Sequence, residues 1–206
     1  MIKRLVVLIA LAVSSAAVAR ADSISGFFSA TGTDSFTSST LTFAPPQNAV
    51  VAGAIGGTFA TYLTDGNAIT FATGAIPYVQ GNNIPPSIQL FSTTEAGETF
   101  GFTVSNFNAD FVNNGTQGCL TGNTCLTITG IGIFTGTGAV TYTPTPGSFE
   151  FTSQYTAGQP LGLASLTSFS ASASATPPAI PEPATLALFG SGLVGLVGIA
   201  RRKLSA

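Results

Sequence analysis

Histidine and tryptophan are absent from the 206 residues, and charged side chains make up only 7% of them. Cations are scarcest in the middle: Lys3, Arg4 and Arg20 stand at the front, Arg201, Arg202 and Lys203 at the back, and none lies between Arg20 and Arg201. The eight acids all fall within that interval, so no two side chains there can form a salt bridge. Nucleic-acid binding draws most of its affinity from Lys and Arg on phosphates, and the middle of the chain has neither. A phosphate-cradling loop lacks its Lys, and nucleophilic devices built on Ser-His-Asp or Cys-His lack their His. With two Cys and no His, zinc and haem sites lack ligands, and no cofactor or metal is expected.

What is present at the front is a basic start at Lys3 and Arg4, an apolar run from Leu5 to Val13, and then small residues. This is the pattern of a secretory signal peptide over residues 1–21. Ala19 and Ala21 supply the small-x-small pair for signal peptidase, which leaves Asp22 as the new N-terminus. The apolar run is short for a membrane span, which argues against an uncleaved anchor.

The back of the chain reads PEPATLALFGSGLVGLVGIARRKLSA from Pro181. Pro181, Glu182 and Pro183 precede an uncharged apolar run over 184–200, and Arg201, Arg202 and Lys203 close it three residues before the end. A helix over that run reaches roughly 25 Å, enough to cross the bilayer core of about 30 Å with its basic end snorkelling. Basic residues flanking both hydrophobic segments keep the two ends cytoplasmic and export what lies between. The prolines cannot continue a helix inward and hold the approach to the membrane extended.

This tail resembles the PEP-CTERM sorting signal of Gram-negative bacteria, in which Pro-Glu-Pro, a transmembrane helix and an Arg-rich end are read by exosortase, an integral membrane processing enzyme. The resemblance rests on Pro181, Glu182, Pro183, the run 184–200, Arg201, Arg202 and Lys203, about an eighth of the chain. It implies cleavage near the Pro-Glu-Pro triplet, transient anchoring in the inner membrane, and delivery to the cell surface or the extracellular matrix. A role in adhesion or in exopolysaccharide and biofilm is likewise what the resemblance implies. Exosortase, signal peptidase, the general secretion machinery and the membrane are the expected partners, with exopolysaccharide added by the same implication.

Between the two signals, residues 22–175 hold 15 of the 16 Phe amid Thr, Ser, Gly and Asn. Period-two runs recur: Phe36 to Leu41 and Phe43; Ile88 and Leu90; Phe100, Phe102 and Val104; Leu126 and Ile128; Ile131 and Ile133; Val140 and Tyr142; Phe149 and Phe151. Alternation with Thr and Ser means strands with one buried and one wet face. Turn signals such as Asp65-Gly66-Asn67, Pro144-Thr145-Pro146-Gly147 and Ala157-Gly158-Gln159-Pro160 separate them. About nine or ten strands with regular turns predict an all-β, antiparallel β-sandwich, jelly-roll or immunoglobulin-like. Residues 176–180 then form a Pro-containing linker to the sorting signal at 181–206.

Cys119 and Cys125 enclose a Gly-Asn turn, and in an exported chain that spacing predicts a disulfide pinning a loop. Three chemical sites can be set against plainer explanations. Glycoside hydrolysis can run on two acids, here drawn from Asp65, Glu95, Glu98, Asp110 and Glu150. Glu95 and Glu98, however, straddle Ala96-Gly97 as solvated acids at a turn would. Calcium could use Asn106, Asn108 and Asp110, but one carboxylate suits a hard dication poorly. A sugar-stacking platform would have to use Tyr62, Tyr78, Tyr142 and Tyr155, since Trp is missing. The expected function is therefore non-catalytic, with a carbohydrate-binding module on the same anchor as the alternative.

Overall fold

The computed structural model describes residues 22–43, 49–81, 87–113, 119–162 and 165–178, together with residue 192. Ten strands run through it: β1 (Gly26–Phe36), β2 (Thr40–Phe43), β3 (Val50–Gly57), β4 (Thr70–Phe71), β5 (Ala75–Pro77), β6 (Ile88–Glu95), β7 (Glu98–Asn113), β8 (Thr124–Gly138), β9 (Thr145–Tyr155) and β10 (Thr167–Ala175). One short helix, α1 (Phe59–Tyr62), follows β3. All strand pairings are antiparallel.

The antiparallel all-β architecture agrees with the sequence, but hydrogen bonding joins the strands into one sheet. Its order is β4-β6-β7-β8-β9-β10-β1-β2-β5, with β3 on β1 beside β2. The two ends of this path, β4 and β5, are linked by residues 72–74 alone, so the sheet must curl back until its edges meet. Curling brings opposite parts of the sheet together around phenylalanine. The Phe43 ring of β2 stacks on Phe71 of β4 at 4.1 Å, and Phe91 of β6 lies edge-on to Phe28 of β1 at 5.7 Å. Thirteen Phe are buried, and Phe59 of α1 enters the same core against Phe28, Phe100 and Phe134. Fully burying such a side chain contributes about 1.5–3 kcal/mol, so the domain coheres without ion pairs.

Local sequence explains the register. Ala96 and Gly97 both take positive φ, 51° and 78°, which makes the two-residue turn that matches strand twist in the β6–β7 hairpin. Strands β7 and β8 pair along nearly their whole length, with one bulge between Val104 and Asn106. In β8 the inward positions are Leu126, Ile128, Gly130, Gly132 and Phe134, which corrects the expected burial of Ile131 and Ile133: both point outward, Ile131 60% exposed. Register turns Gly132 inward, and there is no room for a side chain there: a Cβ would lie 2.2 Å from the Thr103 carbonyl oxygen and 2.8 Å from the Phe102 ring. Val140 and Tyr142 belong to a loop rather than a strand, and β9 begins at Thr145, inside the stretch expected to turn.

The first and last strands are neighbours. Gly26 pairs with Ala175, and the Thr176 N–H donates to the Pro146 carbonyl as the chain leaves the sheet. Entry and exit therefore share one pole. The opposite pole carries the turn at 37–39, the loop at 119–123 and the loop at 156–162. Among the described residues no helix is long and apolar enough to cross a membrane. The expected signal peptide with Ala19 and Ala21, and the expected span 184–200 apart from residue 192, lie outside the described residues.

Candidate functional site

The acids expected from sequence do not gather into one cleft. Asp65 sits in the loop after α1, where its Oδ1 accepts from the Gly53 N–H at 2.9 Å. Glu95 accepts from the Asn67 side-chain amide at 2.8 Å. Glu98 is not the solvated turn acid that its spacing suggested: it is 0% exposed, and its Oε2 accepts the Val140 N–H at 3.0 Å. The 139–142 loop folds back to supply that donor. Among the described residues no group of three or more His, Cys, Asp or Glu could hold a metal. Asn106, Asn108 and Asp110 instead alternate along the outward face of β7, opposite Ile131, Thr129 and Thr127 across the ladder. A strand spreads such residues apart where a chelating loop would converge them.

The tyrosines form no exposed platform. Tyr78 and Tyr155 are buried: the Tyr78 hydroxyl donates to the Thr37 carbonyl, and the Tyr155 hydroxyl donates to the Ser165 carbonyl at 2.7 Å while accepting the Phe36 N–H. Burial pushes both phenols above their ordinary range. Tyr62 and Tyr142 share a hydrogen bond at 3.1 Å, and burial together with that contact pushes Tyr142 up to about 12. Cys119 and Cys125 form a disulfide with Cα atoms 5.8 Å apart, closing the loop at the pole away from the chain exit.

A concavity on the outer face of the sheet gathers three residues that the sequence had offered to two different sites, Asn106, Asn108 and Glu150. It is a trough of about 680 Å³ crossing β7 to β10 and β1. One cross-strand row runs Asn106, Ile131, Ser148, Ser174 and Phe27, each the register partner of the next. Phe27 and Ile131 stand three strand spacings apart, about 14 Å, with only two serines between them. Two large side chains flanking two small ones make the trough. The adjacent row runs Asn108, Thr129, Glu150 and Ser172.

Phe27 was legible in one respect. It precedes Phe28 in β1, and two consecutive strand residues cannot both face the core. Phe28 is buried and Phe27 is 48% exposed. Gly56, its partner on β3, leaves room for the ring: a Cβ there would fall 2.7 Å from Phe27 Cε1. The ring therefore rests on bare backbone.

Pro181, Glu182, Pro183, Arg201, Arg202 and Lys203 lie outside the described residues, and comparison with known proteins bears on them instead. No curated protein and no solved structure matches the chain. Residues 179–203 match the model of the PEP-CTERM protein-sorting motif, a span that contains all six of these positions. The chain carries the PEP-CTERM sorting signal that marks an exported substrate of exosortase.

Proposed function

We propose that this is an exported, non-catalytic protein of the cell surface or extracellular matrix, acting in adhesion or in the exopolysaccharide and biofilm matrix. The single observation that carries the route is the sorting match at 179–203, preceded in the chain by a secretory-type start at residues 1–21. Signal peptidase and the secretion machinery act first, exosortase second, and the mature domain is then displayed or released. The curled sheet supports this reading physically. Its entry and exit share one pole, so a tether through 176–180 holds the domain by one end and presents the opposite pole outward.

We take the curled sheet as a β-sandwich in which one half lies over the other across the Phe core. The absence of a catalytic role is supported by where the acids lie, with Glu98 buried under the 139–142 loop, Asp65 capping a loop and Glu150 alone in the outer trough.

The test is expression of the protein, tagged after Ala206, in an exporting host with and without its exosortase. Loss of the tag from the exported protein only where exosortase is present supports the assignment. A tag retained equally in both hosts contradicts it.

A further inference from the structure

We infer that the outer trough between Phe27 and Ile131 is a binding site for a segment of uncharged polysaccharide. The inference deepens the matrix reading by naming the partner and where it sits, and rests on that reading only for where the glycan is met.

Three features point to this ligand. The first is an inventory of free polar groups. The side chains of Asn106, Asn108, Glu150, Ser148, Ser172 and Ser174 make no hydrogen bond to any described residue, yet all line the same trough. Nearer the opposite pole of this outer face, two threonine hydroxyls are turned back onto the protein. Thr31 donates to the Phe169 carbonyl at 2.9 Å and Thr152 to the Ser170 carbonyl at 3.4 Å. The trough keeps its amides, hydroxyls and carboxylate available for a partner that both donates and accepts.

The second feature is the pair of apolar walls. A ring face at Phe27, held on the bare backbone of Gly56, and an aliphatic surface at Ile131 suit the C–H faces of sugar rings. The free polar groups between and beside them suit the hydroxyls around the rim of those rings. Such a mixture of a few convergent polar groups with apolar walls is the general composition of a ligand site.

The third feature is charge. Residues 22–178 contain seven acids and no Lys or Arg, so nothing in the domain can neutralise an anionic polymer. Glu150 at the centre of its row repels uronate or sulfate groups and accepts hydrogen bonds from neutral hydroxyls. A hard dication is poorly served, because Glu150 is the only carboxylate lining the trough. A peptide adding as a strand is also poorly served, because the trough lies on the face of the sheet, where backbone groups are already paired.

The experiment is affinity electrophoresis of the mature exported protein in native gels containing uncharged glucan, mannan, galactan or xylan, with polygalacturonate as the anionic arm. At least one uncharged polysaccharide is expected to retard the wild type and polygalacturonate to leave it unretarded. Phe27→Ala is expected to weaken that retardation at least tenfold, and Glu150→Gln to weaken it several-fold. Leu120→Ala, in the disulfide loop at the other pole, is expected to behave as wild type. Should Phe27→Ala fail to fold by thermal melting, Ser148→Tyr fills the trough from an exposed position and is expected to abolish retardation. No retardation by any uncharged polysaccharide, equal retardation by polygalacturonate, or full retardation of Ser148→Tyr or of folded Phe27→Ala overturns the inference. Each of these outcomes leaves exosortase-dependent removal of the tail untouched, so the two proposals fail separately.

Discussion

The Ser153 hydroxyl donates to one carboxyl oxygen of Asp34 at 2.8 Å inside the core, and the other oxygen of that carboxyl has no partner. Asp34 is fully buried, and with no cation in the domain nothing offsets the loss of water. Desolvation therefore outweighs the Ser153 hydrogen bond and pushes the carboxyl up to about 7.

A pH dependence of known sign follows. Below about pH 4 Asp34 is protonated whether the chain is folded or not, and its burial carries no ionic cost. Between about 4 and 7 the unfolded chain ionises while the folded one keeps its proton, so stability falls as pH rises, and above about 7 the effect is constant. The full span is on the order of 4 kcal/mol. Asp34→Asn should remove this component, so that urea midpoints of the variant exceed those of wild type by a margin that grows from pH 4 to pH 7. A constant margin across that range would contradict the buried-carboxyl account.

The disulfide closes a loop of about seven residues, for which chain entropy gives roughly 2 kcal/mol. Cys119→Ser with Cys125→Ser should lower the unfolding free energy by about that amount in denaturant titration while leaving the far-ultraviolet spectrum unchanged. The sheet on either side is held by the β7–β8 and β8–β9 ladders, which do not depend on the loop.

Phe59 joins rings from three strands at centroid distances of 5.0, 5.1 and 5.3 Å. Phe59→Ala leaves a cavity in a close-packed core and should cost about 3–5 kcal/mol in urea unfolding. A loss below about 1 kcal/mol would mean that α1 does not plug the core as described.

Gly132→Ala should destabilise by about 1–3 kcal/mol, because the new methyl meets the Thr103 carbonyl and the Val104 backbone rather than flexible side-chain ends. Ile131→Thr, one residue away on the outer face, should change unfolding by no more than about 0.5 kcal/mol. Equal effects of the two substitutions would contradict the β8 register.

That register also shows how far the fold could be read in advance. Phe100, Phe102, Phe149 and Phe151 alternate with polar residues, and their burial followed from period two alone. In β8 the rule misled, since hydrophobicity marked Ile131 and Ile133 while the core side was occupied by glycine. The Thr103 carbonyl, the Phe102 ring and the Val104 backbone of β7 fill the space at Gly132, and such cross-strand filling is a tertiary fact that no local pattern carries. Glu98 was misjudged for the same reason, because the loop that buries it lies some 40 residues further along. Curling of the sheet was hidden too: the three-residue link between β4 and β5 joins strands too short for a periodic signal. The sorting signal needed no tertiary context, because its order of Pro-Glu-Pro, apolar run and basic end is linear. The trough was half-visible at most. Phe27-Phe28 required one ring to face outward, but the free serines beside it come from other strands.

The central claim is that both ends of the chain are addresses removed on the way out, leaving a domain without Lys or Arg. Intact mass of the mature protein from an exosortase-bearing host tests it most directly. The account predicts a species that begins at Asp22, retains the Cys119–Cys125 disulfide and ends near the Pro181–Pro183 triplet. A mass that still includes residues 1–21 or 184–206 would contradict it.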